Sequence, residues 1–312
     1  MTTAIELTDL SPSFLQFWEQ AAALPRDVQR HLWYHLYEDR YRAYFVAGDG
    51  RHGNSEALPA ALDRFADAAT RIPEAAQRVR SAINAAAPEL ARIFDLAALD
   101  LSWVLLVGMY WSDGWVAKFA GKQTCFIALE MIGDASGRAE ILTAHEGAHV
   151  AHSASLGASW DDLDTLGDAL FVEGLATLAS ARVAPGFDPA TYLWAAVEPT
   201  VLRGLSHRDW IAQCEAAWPD LRCTLLRDLA TRDATLIDPL FLGSSAPFAQ
   251  PERIGYFAAY RLVSELAKSH SIATLARWRS RRIRRELAVL LSNAIDGEVP
   301  LTPEGAPGES GE

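Results

Sequence analysis

The feature that most constrains this chain is the stretch from Leu142 to His152, which contains H-E-x-x-H as His145, Glu146 and His149. Histidines four residues apart lie on one face of a helix, about one turn from each other. Their ring nitrogens can then reach one metal ion, and zinc binds imidazole readily. Glu146 would lie beside the water that such a metal activates, where a carboxylate acts as a general base. The pattern therefore predicts a helical metal site with hydrolytic chemistry.

The context of the motif matters, because H-E-x-x-H arises by chance in roughly 1 of 100 chains with this histidine content. No proline interrupts the segment that begins at Ala139, and Gly157 follows the motif where a helix can end. Upstream, the run Thr124–Leu129 lies between Gly121 and Gly133 and is typical of a strand. These neighbours favour a true motif on a helix that follows a strand.

A catalytic zinc ion needs three protein ligands and an open position, so a third ligand must exist elsewhere. Glu173 is the candidate, because it lies inside the apolar run from Ala169 to Ala176. If that run is a buried helix, an unpaired carboxylate there would be costly, and a zinc ion would be its partner. The alternative is that Glu173 lies on the solvated face of an amphipathic helix.

These segments together resemble a known class. H-E-x-x-H followed by a separate helix with E-G-[LFW]-A is the gluzincin pattern of zinc metallopeptidases, and the second element is Glu173-Gly174-Leu175-Ala176 here. More narrowly, the chain resembles a family of predicted zinc-dependent proteases of formerly unknown function, whose later helix carries G-Y-x-x-[GA]-Y. That motif is present as Gly255-Tyr256-Phe257-Ala258-Ala259-Tyr260. The likeness covers roughly Leu99 to Lys268.

The resemblance implies a zinc-dependent peptidase that holds Zn²⁺ with His145, His149 and Glu173 and uses Glu146 as general base. The oxyanion of peptide hydrolysis needs a hydrogen-bond donor, and the resemblance implies Tyr256 for this role. Tyr260 and His207 are alternative donors, and Tyr256 is equally compatible with a core tyrosine whose hydroxyl is satisfied. Arg253 is a further candidate, as a partner for a substrate carboxylate. The resemblance also implies that one of two apolar runs, Leu101–Met109 or Thr124–Leu129, is a strand that binds an extended peptide along its edge. The alternative is that both are plain core strands.

The chain departs in two places from the motifs of related zinc peptidases. The metzincin continuation would need glycine and histidine where this chain has His152 and Ser155, so that class is rejected. His152 lies about 10.5 Å along the helix from the first histidine of the motif, so we expect a neighbour of the metal rather than a ligand. Some gluzincins carry an aspartate where this chain has Thr177, so Thr177, Asp168 or a backbone carbonyl would orient a ligand instead.

The composition argues against several classes of protein. The 312 residues carry a net charge of -12, which argues against broad binding of nucleic acid. Three cysteines without a C-x-x-C spacing form neither a disulfide framework nor a cysteine zinc site: Cys125, Cys214 and Cys223. The longest apolar run, around Leu101 to Trp111, is too short to span a bilayer, and no signal peptide is visible at the start. We therefore expect a cytoplasmic protein that acts on a peptide or protein substrate, without a membrane.

The expected fold is α+β and predominantly helical, with a zincin-like catalytic core, a small sheet and an N-terminal helical layer. The predicted regions are an N-terminal helical region (1–98), the metallopeptidase region (99–295) and a disordered acidic tail (296–312). Strands are predicted at Leu101–Met109 and Thr124–Leu129, with a connection at 114–121. The predicted helices are 11–23, 28–45, 57–69, 73–90, 139–156, 169–184, 190–205, 209–229, 252–268 and 272–294.

Two other hypotheses compete with the peptidase. The first is a zinc-bound structural or regulatory protein on a peptidase-like fold, which would keep the metal without turnover. The second is a helical interaction protein in which the motif is accidental. A further histidine pair, His31 and His35, has the same spacing, but no glutamate follows His31 and no third ligand is evident. We expect that pair to be packed among aromatic residues or partly exposed rather than to bind a metal.

Overall fold

A computed structural model of the chain describes residues 2–47, 56–133, 137–187, 189–194, 206–242 and 251–293. The chain divides into two compact units, Met1–Ala154 and Ser155–Glu312. The described residues are mainly helical and include one small sheet, as predicted for an α+β protein. The predicted acidic tail and most of the helix predicted at 190–205 lie outside the described residues.

The first unit contains a four-stranded mixed sheet. Its strands are β1 (Thr2–Asp9), β2 (Ala98–Leu106), β3 (Gly114–Phe119) and β4 (Lys122–Ala128). They are ordered β1-β2-β4-β3, so β1 and β3 form the two edges. β1, β2 and β4 run parallel, whereas β3 runs antiparallel to β4. The two strands predicted from apolar runs, β2 and β4, lie side by side in the middle of this sheet.

The sequence analysis missed both edge strands. The segment 114–121 was predicted to be a connection, and this was wrong because β3 and β4 form a hairpin. The tight turn at its end uses Ala120 and Gly121, whose φ angles are +48° and +82°. Ala120 is an unusual residue in that conformation, so the turn carries no asparagine–glycine signal. β1 pairs with β2 from the other side, so the N-terminal region is not purely helical.

The helices of the first unit are α1 (Ser11–Ala21), α2 (Arg26–Leu32), α3 (Arg42–Phe45), α4 (Leu58–Ile93) and α5 (Arg138–Leu156). A π-helical turn and a 3₁₀ turn fill the gap between α2 and α3. Helices predicted separately at 57–69 and 73–90 form the single helix α4. Its buried residues follow a helical period past Pro73 and Pro88, so packing of a continuous apolar stripe outweighs the hydrogen bonds that the prolines remove.

Aromatic residues of the N-terminal helices and of α4 form a core. Phe14, Phe17, Trp33 and Phe65 are fully buried, and their rings contact one another. The Trp33 indole donates to the Glu38 carboxylate at 2.8 Å, and burial raises the pKa of that carboxyl. This cluster accounts for the aromatic residues of the N-terminal helices by packing alone.

The helices of the second unit are α6 (Leu166–Val183), α7 (Pro189–Trp194), α8 (His207–Asp228), α9 (Ala234–Leu242), α10 (Ile254–Ala267), α11 (Ile272–Leu275) and α12 (Ser280–Ser292). The sequence analysis predicted one helix over 272–294, whereas the structure has two. Between them lies the buried Trp278, whose ring stacks on Phe171 of α6 with centroids 5.8 Å apart. None of the helices in the described part of the chain combines the length and apolar character that crossing a bilayer requires.

The pair α6 and α10 packs unusually closely. A Cβ atom added to Gly174 of α6 would lie 2.3 Å from the backbone oxygen of Ala259 in α10. A Cβ atom on Gly255 would similarly lie 2.6 Å from the backbone oxygen of Leu240 in α9. The glycines of E-G-L-A and G-Y-x-x-A-Y are therefore required by helix contacts, since any side chain there would overlap a neighbouring backbone.

We expect Gly174→Ala to destabilise the protein, because overpacking against a backbone cannot be relieved by a rotamer change and costs about 1–3 kcal/mol or more. Gly147→Ala is the matched control. Its added Cβ atom would meet the Leu90 Cδ1 atom at 2.6 Å, and that side-chain end can move. Both substitutions gain the same helix propensity, about 1 kcal/mol. Urea unfolding of the two variants measures the difference, and equal stabilities would contradict this account of the packing.

Candidate metal site

The predicted motif lies on α5, and this helix is buried on nearly all sides. Its buried residues run from Arg138 to His152 with few interruptions, as in a helix at the centre of a core. Gly147 allows the close contact with α4, because Leu90 and the Trp103 ring of β2 both approach it. The prediction of a helix over this segment is confirmed.

The two histidines of the motif lie as the spacing predicted. Their Nε2 atoms are 3.2 Å apart, and the ring planes are nearly perpendicular, at 82°. Two nitrogens bound at about 2.0–2.1 Å to one tetrahedral zinc ion lie about 3.3 Å from each other. The separation of the His145 and His149 nitrogens therefore fits two positions of one zinc coordination sphere without rearrangement.

Glu173 of α6 completes a group of three potential ligands. One ligand atom from each of His145, His149 and Glu173 lies within 4.8 Å of the others. Two imidazoles and one carboxylate are a donor set that zinc accepts, and three protein ligands leave a coordination position open. Among the residues that the structure describes, this is the group of histidines, cysteines and acidic side chains that could hold a metal ion.

Glu146 of α5 packs against the sheet. Its side chain is 6 % exposed. A Cβ atom added to Gly114, the first residue of β3, would lie 3.0 Å from both Cγ and Oε1 of Glu146. Burial and the Glu146 charge together raise the pKa of the Cys125 thiol in β4. The sequence analysis missed Gly114 and Cys125, since no local pattern identifies residues that approach from another element.

His152 is buried, with an exposed fraction of 1 %. Burial, and secondarily the nearby His149, lower its pKa to about 3, so His152 is a neutral imidazole at neutral pH. It is not part of the described group of potential metal ligands.

The groups proposed to orient a ligand serve other purposes within the second unit. The Thr177 hydroxyl donates to the backbone carbonyl of Glu173 at 2.8 Å, which is a contact inside α6. The Asp168 carboxylate accepts from the hydroxyls of Thr165 and Ser280 at 2.6 and 2.7 Å. Asp168 therefore caps the start of α6 and joins it to α12.

The predicted oxyanion donors differ in their surroundings. Tyr260 is 4 % exposed, and burial raises its pKa. Tyr256 is half-buried and lies edge-on to Phe241, with ring centroids 5.4 Å apart. The side chain of His207 lies outside the described residues.

Arg253, the candidate partner of a substrate carboxylate, directly precedes α10. Its backbone adopts a left-handed conformation with φ of +59°. Its guanidinium lies 5.8 Å from the centre of the Tyr256 ring. These contacts neither confirm nor contradict a role in substrate binding, which stays a prediction.

The second histidine pair is exposed, as the sequence analysis allowed. The rings of His31 and His35 are stacked, with centroids 6.0 Å apart and planes inclined by 10°. Neither residue belongs to the described group of potential metal ligands. The two histidine pairs therefore share a spacing but differ in burial and ring orientation.

Comparisons with known proteins find no relative. No family model matches the chain, no curated protein matches it, and no solved structure matches it.

We expect the purified chain to bind about one zinc ion, and His149→Ala and Glu173→Ala each to lose most of it, because each removes one of three ligands. His31→Ala and His35→Ala are the matched controls, since they remove histidines of the same spacing from an exposed site. Elemental analysis after zinc loading and gel filtration measures the stoichiometry. Zinc that persists after Glu173→Ala would contradict the proposed third ligand.

Proposed function

We propose that this chain is a zinc-dependent peptidase whose metal is held by His145, His149 and Glu173. The observation that carries the proposal is the pair of imidazole nitrogens 3.2 Å apart, grouped with the Glu173 carboxylate. A structural zinc site closes its fourth position with another protein ligand, whereas three ligands of this kind suit catalysis. A buried glutamate directly after the first ligand supports hydrolysis rather than metal storage.

When bound, the zinc ion would polarise the scissile carbonyl and lower the pKa of a water molecule in the open position. In this proposal Glu146 accepts a proton from the attacking water and transfers it to the nitrogen of the leaving amine. Because Glu146 is almost fully buried, bulk solvent exchanges protons with its carboxylate poorly, so the proton stays available for the leaving group.

The proposal assigns the oxyanion contact to Tyr256 rather than Tyr260. Tyr260 is buried, so its hydroxyl is a poor donor for a substrate. Tyr256 retains part of its exposure and lies one helical turn before Ala259, which contacts the residue after Glu173. α10 thus presents Tyr256 in the same unit as the proposed carboxylate ligand.

We further propose that the substrate is an extended peptide that pairs with the free edge of β3. This strand is one of the two edges of the sheet, and its first residue contacts Glu146. Backbone pairing at such an edge recognises peptides through main-chain hydrogen bonds, with limited dependence on sequence. The same pairing would bring a peptide bond towards the general base.

We expect Glu146→Gln to abolish peptide hydrolysis while zinc binding stays at the parental level. General-base catalysis contributes about 10²–10⁴-fold, and the amide keeps the size of the side chain but cannot accept the proton. Cleavage of a mixed peptide library, followed by mass spectrometry, measures the activity. An active Glu146→Gln variant would contradict the mechanism, and a parent that binds zinc but cleaves nothing would favour the non-hydrolytic alternative.

We expect Tyr256→Phe to lower kcat by about 10²–10³-fold with little change in KM, because the lost hydrogen bond forms only in the transition state. Tyr260→Phe is the matched control, since it removes a hydroxyl from the next turn of the same helix. Steady-state kinetics on one cleaved peptide separates the two variants. A larger loss for Tyr260→Phe would reverse the assignment.

A further inference from the structure

The connection between β2 and β3, residues 107–113, is held in place by hydrogen bonds from its backbone to side chains elsewhere in the first unit. It leaves the sheet after β2 and returns at Gly114, which touches Glu146. Backbone N–H groups in such a segment need partners, because burial without a hydrogen bond is costly. The partners show what fixes the connection.

Glu130 is the main partner at the start of the connection. Its carboxylate is 5 % exposed and accepts from the backbone N–H groups of Gly108 and Tyr110, at 2.9 and 3.2 Å. The Tyr37 hydroxyl accepts from the Val107 N–H group at 2.8 Å. The side chains of Glu130 and Tyr37 thus accept hydrogen bonds from three of the first four N–H groups of the connection.

The backbone near Glu130 shows one close approach, at Gly108, and one left-handed residue, Tyr110. A Cβ atom on Gly108 would lie 3.0 Å from Glu130 Oε1, so this carboxylate sits directly against the chain. Tyr110 has a φ angle of +62°, which is uncommon for a residue with a side chain. The Arg64 guanidinium covers its ring at 3.4 Å from the centre. The strained conformation persists because contacts on both sides hold it.

Asp113 holds the other end of the connection. Its carbonyl accepts from the Ala128 N–H group at 2.8 Å, and its carboxylate accepts from the Gly114 N–H group at 3.0 Å. The same carboxylate lies 3.8 Å from the buried Arg138 guanidinium at the start of α5. Asp113 therefore links the first residue of β3 to the helix that carries the motif.

One face of α5 meets this connection along its length. Arg138, Leu142 and Glu146 are spaced four residues apart, so their side chains lie in one row. Asp113 contacts the first, and a Cβ atom on Gly114 would meet the other two at 3.1 and 3.0 Å. This row contains Glu146, the proposed general base, and neither histidine of the motif.

We propose that Glu130 is a positioning residue that fixes the β2–β3 connection and thereby the Glu146 carboxylate against Gly114. The inference rests on the proposed peptidase function and names a residue outside its catalytic group. Glu130 touches neither substrate nor metal in this scheme. It acts through the backbone of the connection, and Gly114 is the contact that transmits the position.

The ionisation of Glu130 should make the position of the connection depend on pH. Burial is the largest influence and raises the pKa of Glu130 to about 7, against the backbone N–H groups and the Arg64 charge, which lower it. The other titratable groups that face it are the Tyr37 and Tyr110 hydroxyls, whose own pKa values are raised. An ionised carboxylate is the stronger acceptor, so the hold on the connection weakens as the pH falls through about 7.

The test compares Glu130→Gln with Glu140→Gln, which makes the same change at an exposed position of α5. The N–H groups of Gly108 and Tyr110 donate to different oxygens of the Glu130 carboxylate. An amide replaces one of these oxygens with an NH₂ donor, so one of the two hydrogen bonds is lost. We expect Glu130→Gln to lower kcat by about 10- to 100-fold, as misplacement of a catalytic group by about 1 Å does. KM and zinc content should stay parental, and the acid limb of kcat near pH 7 should disappear.

Hydrogen exchange supplies a readout that needs no activity. Amides of 107–114 should exchange faster in Glu130→Gln, while those of β4 stay unchanged. An active parent whose Glu130→Gln variant keeps its kcat and pH profile would overturn the inference and leave the proposed function intact.

If the parent cleaves no peptide, the proposed function fails and crystallography decides the inference. Glu146 displaced from Gly114 in Glu130→Gln would support it, and an unmoved Glu146 would overturn it. Gly114→Ala is the second variant should Glu130→Gln not fold. It should lower kcat by a similar factor with intact zinc binding, and full activity would again overturn the inference.

Discussion

The burial of polar side chains along α5 is the constraint on which the candidate site depends. Glu146, His149 and His152 are all buried in a helix that is otherwise mainly apolar. Burying such groups is costly unless each finds a partner. Each group avoids this free-energy cost differently. His152 is a neutral imidazole, and Glu146 packs against the sheet. The ring nitrogens of His145 and His149 face each other at 3.2 Å. A zinc ion would satisfy the paired nitrogens fully.

The same helix carries both the histidine pair and the proposed general base. The ring nitrogens of His145 and His149 lie close together, and Glu146 lies against Gly114 at the start of β3. In the second unit, Gly174 brings α6 onto α10 next to Glu173. Close backbone approach thus recurs beside Glu146 and Glu173, the proposed general base and the proposed carboxylate ligand. A rigid support holds a reactive group more precisely than a mobile one.

Much of the site could be predicted because its residues are close in sequence. The spacing of His145 and His149 fixed their common face, and the apolar run around Glu173 indicated a buried helix. The two central strands were predictable from their apolar runs. The edge strands were not: β1 is largely exposed, and the turn at Ala120 lacks the usual residues. The continuous helix α4 was hidden by Pro73, because a proline signal is local whereas the apolar stripe is not. Glu130 and Gly114 could not be identified, since their roles depend on contacts between distant segments.

Crystals of the zinc-loaded chain, measured by anomalous diffraction at the zinc edge, test the central claim most directly. The account predicts one strong anomalous peak bonded to His145, His149 and Glu173 at about 2.0–2.1 Å, with one position open to solvent. A peak at the exposed pair His31 and His35, or a fourth protein ligand closing the site, would contradict it. So would the absence of any peak in fully loaded crystals.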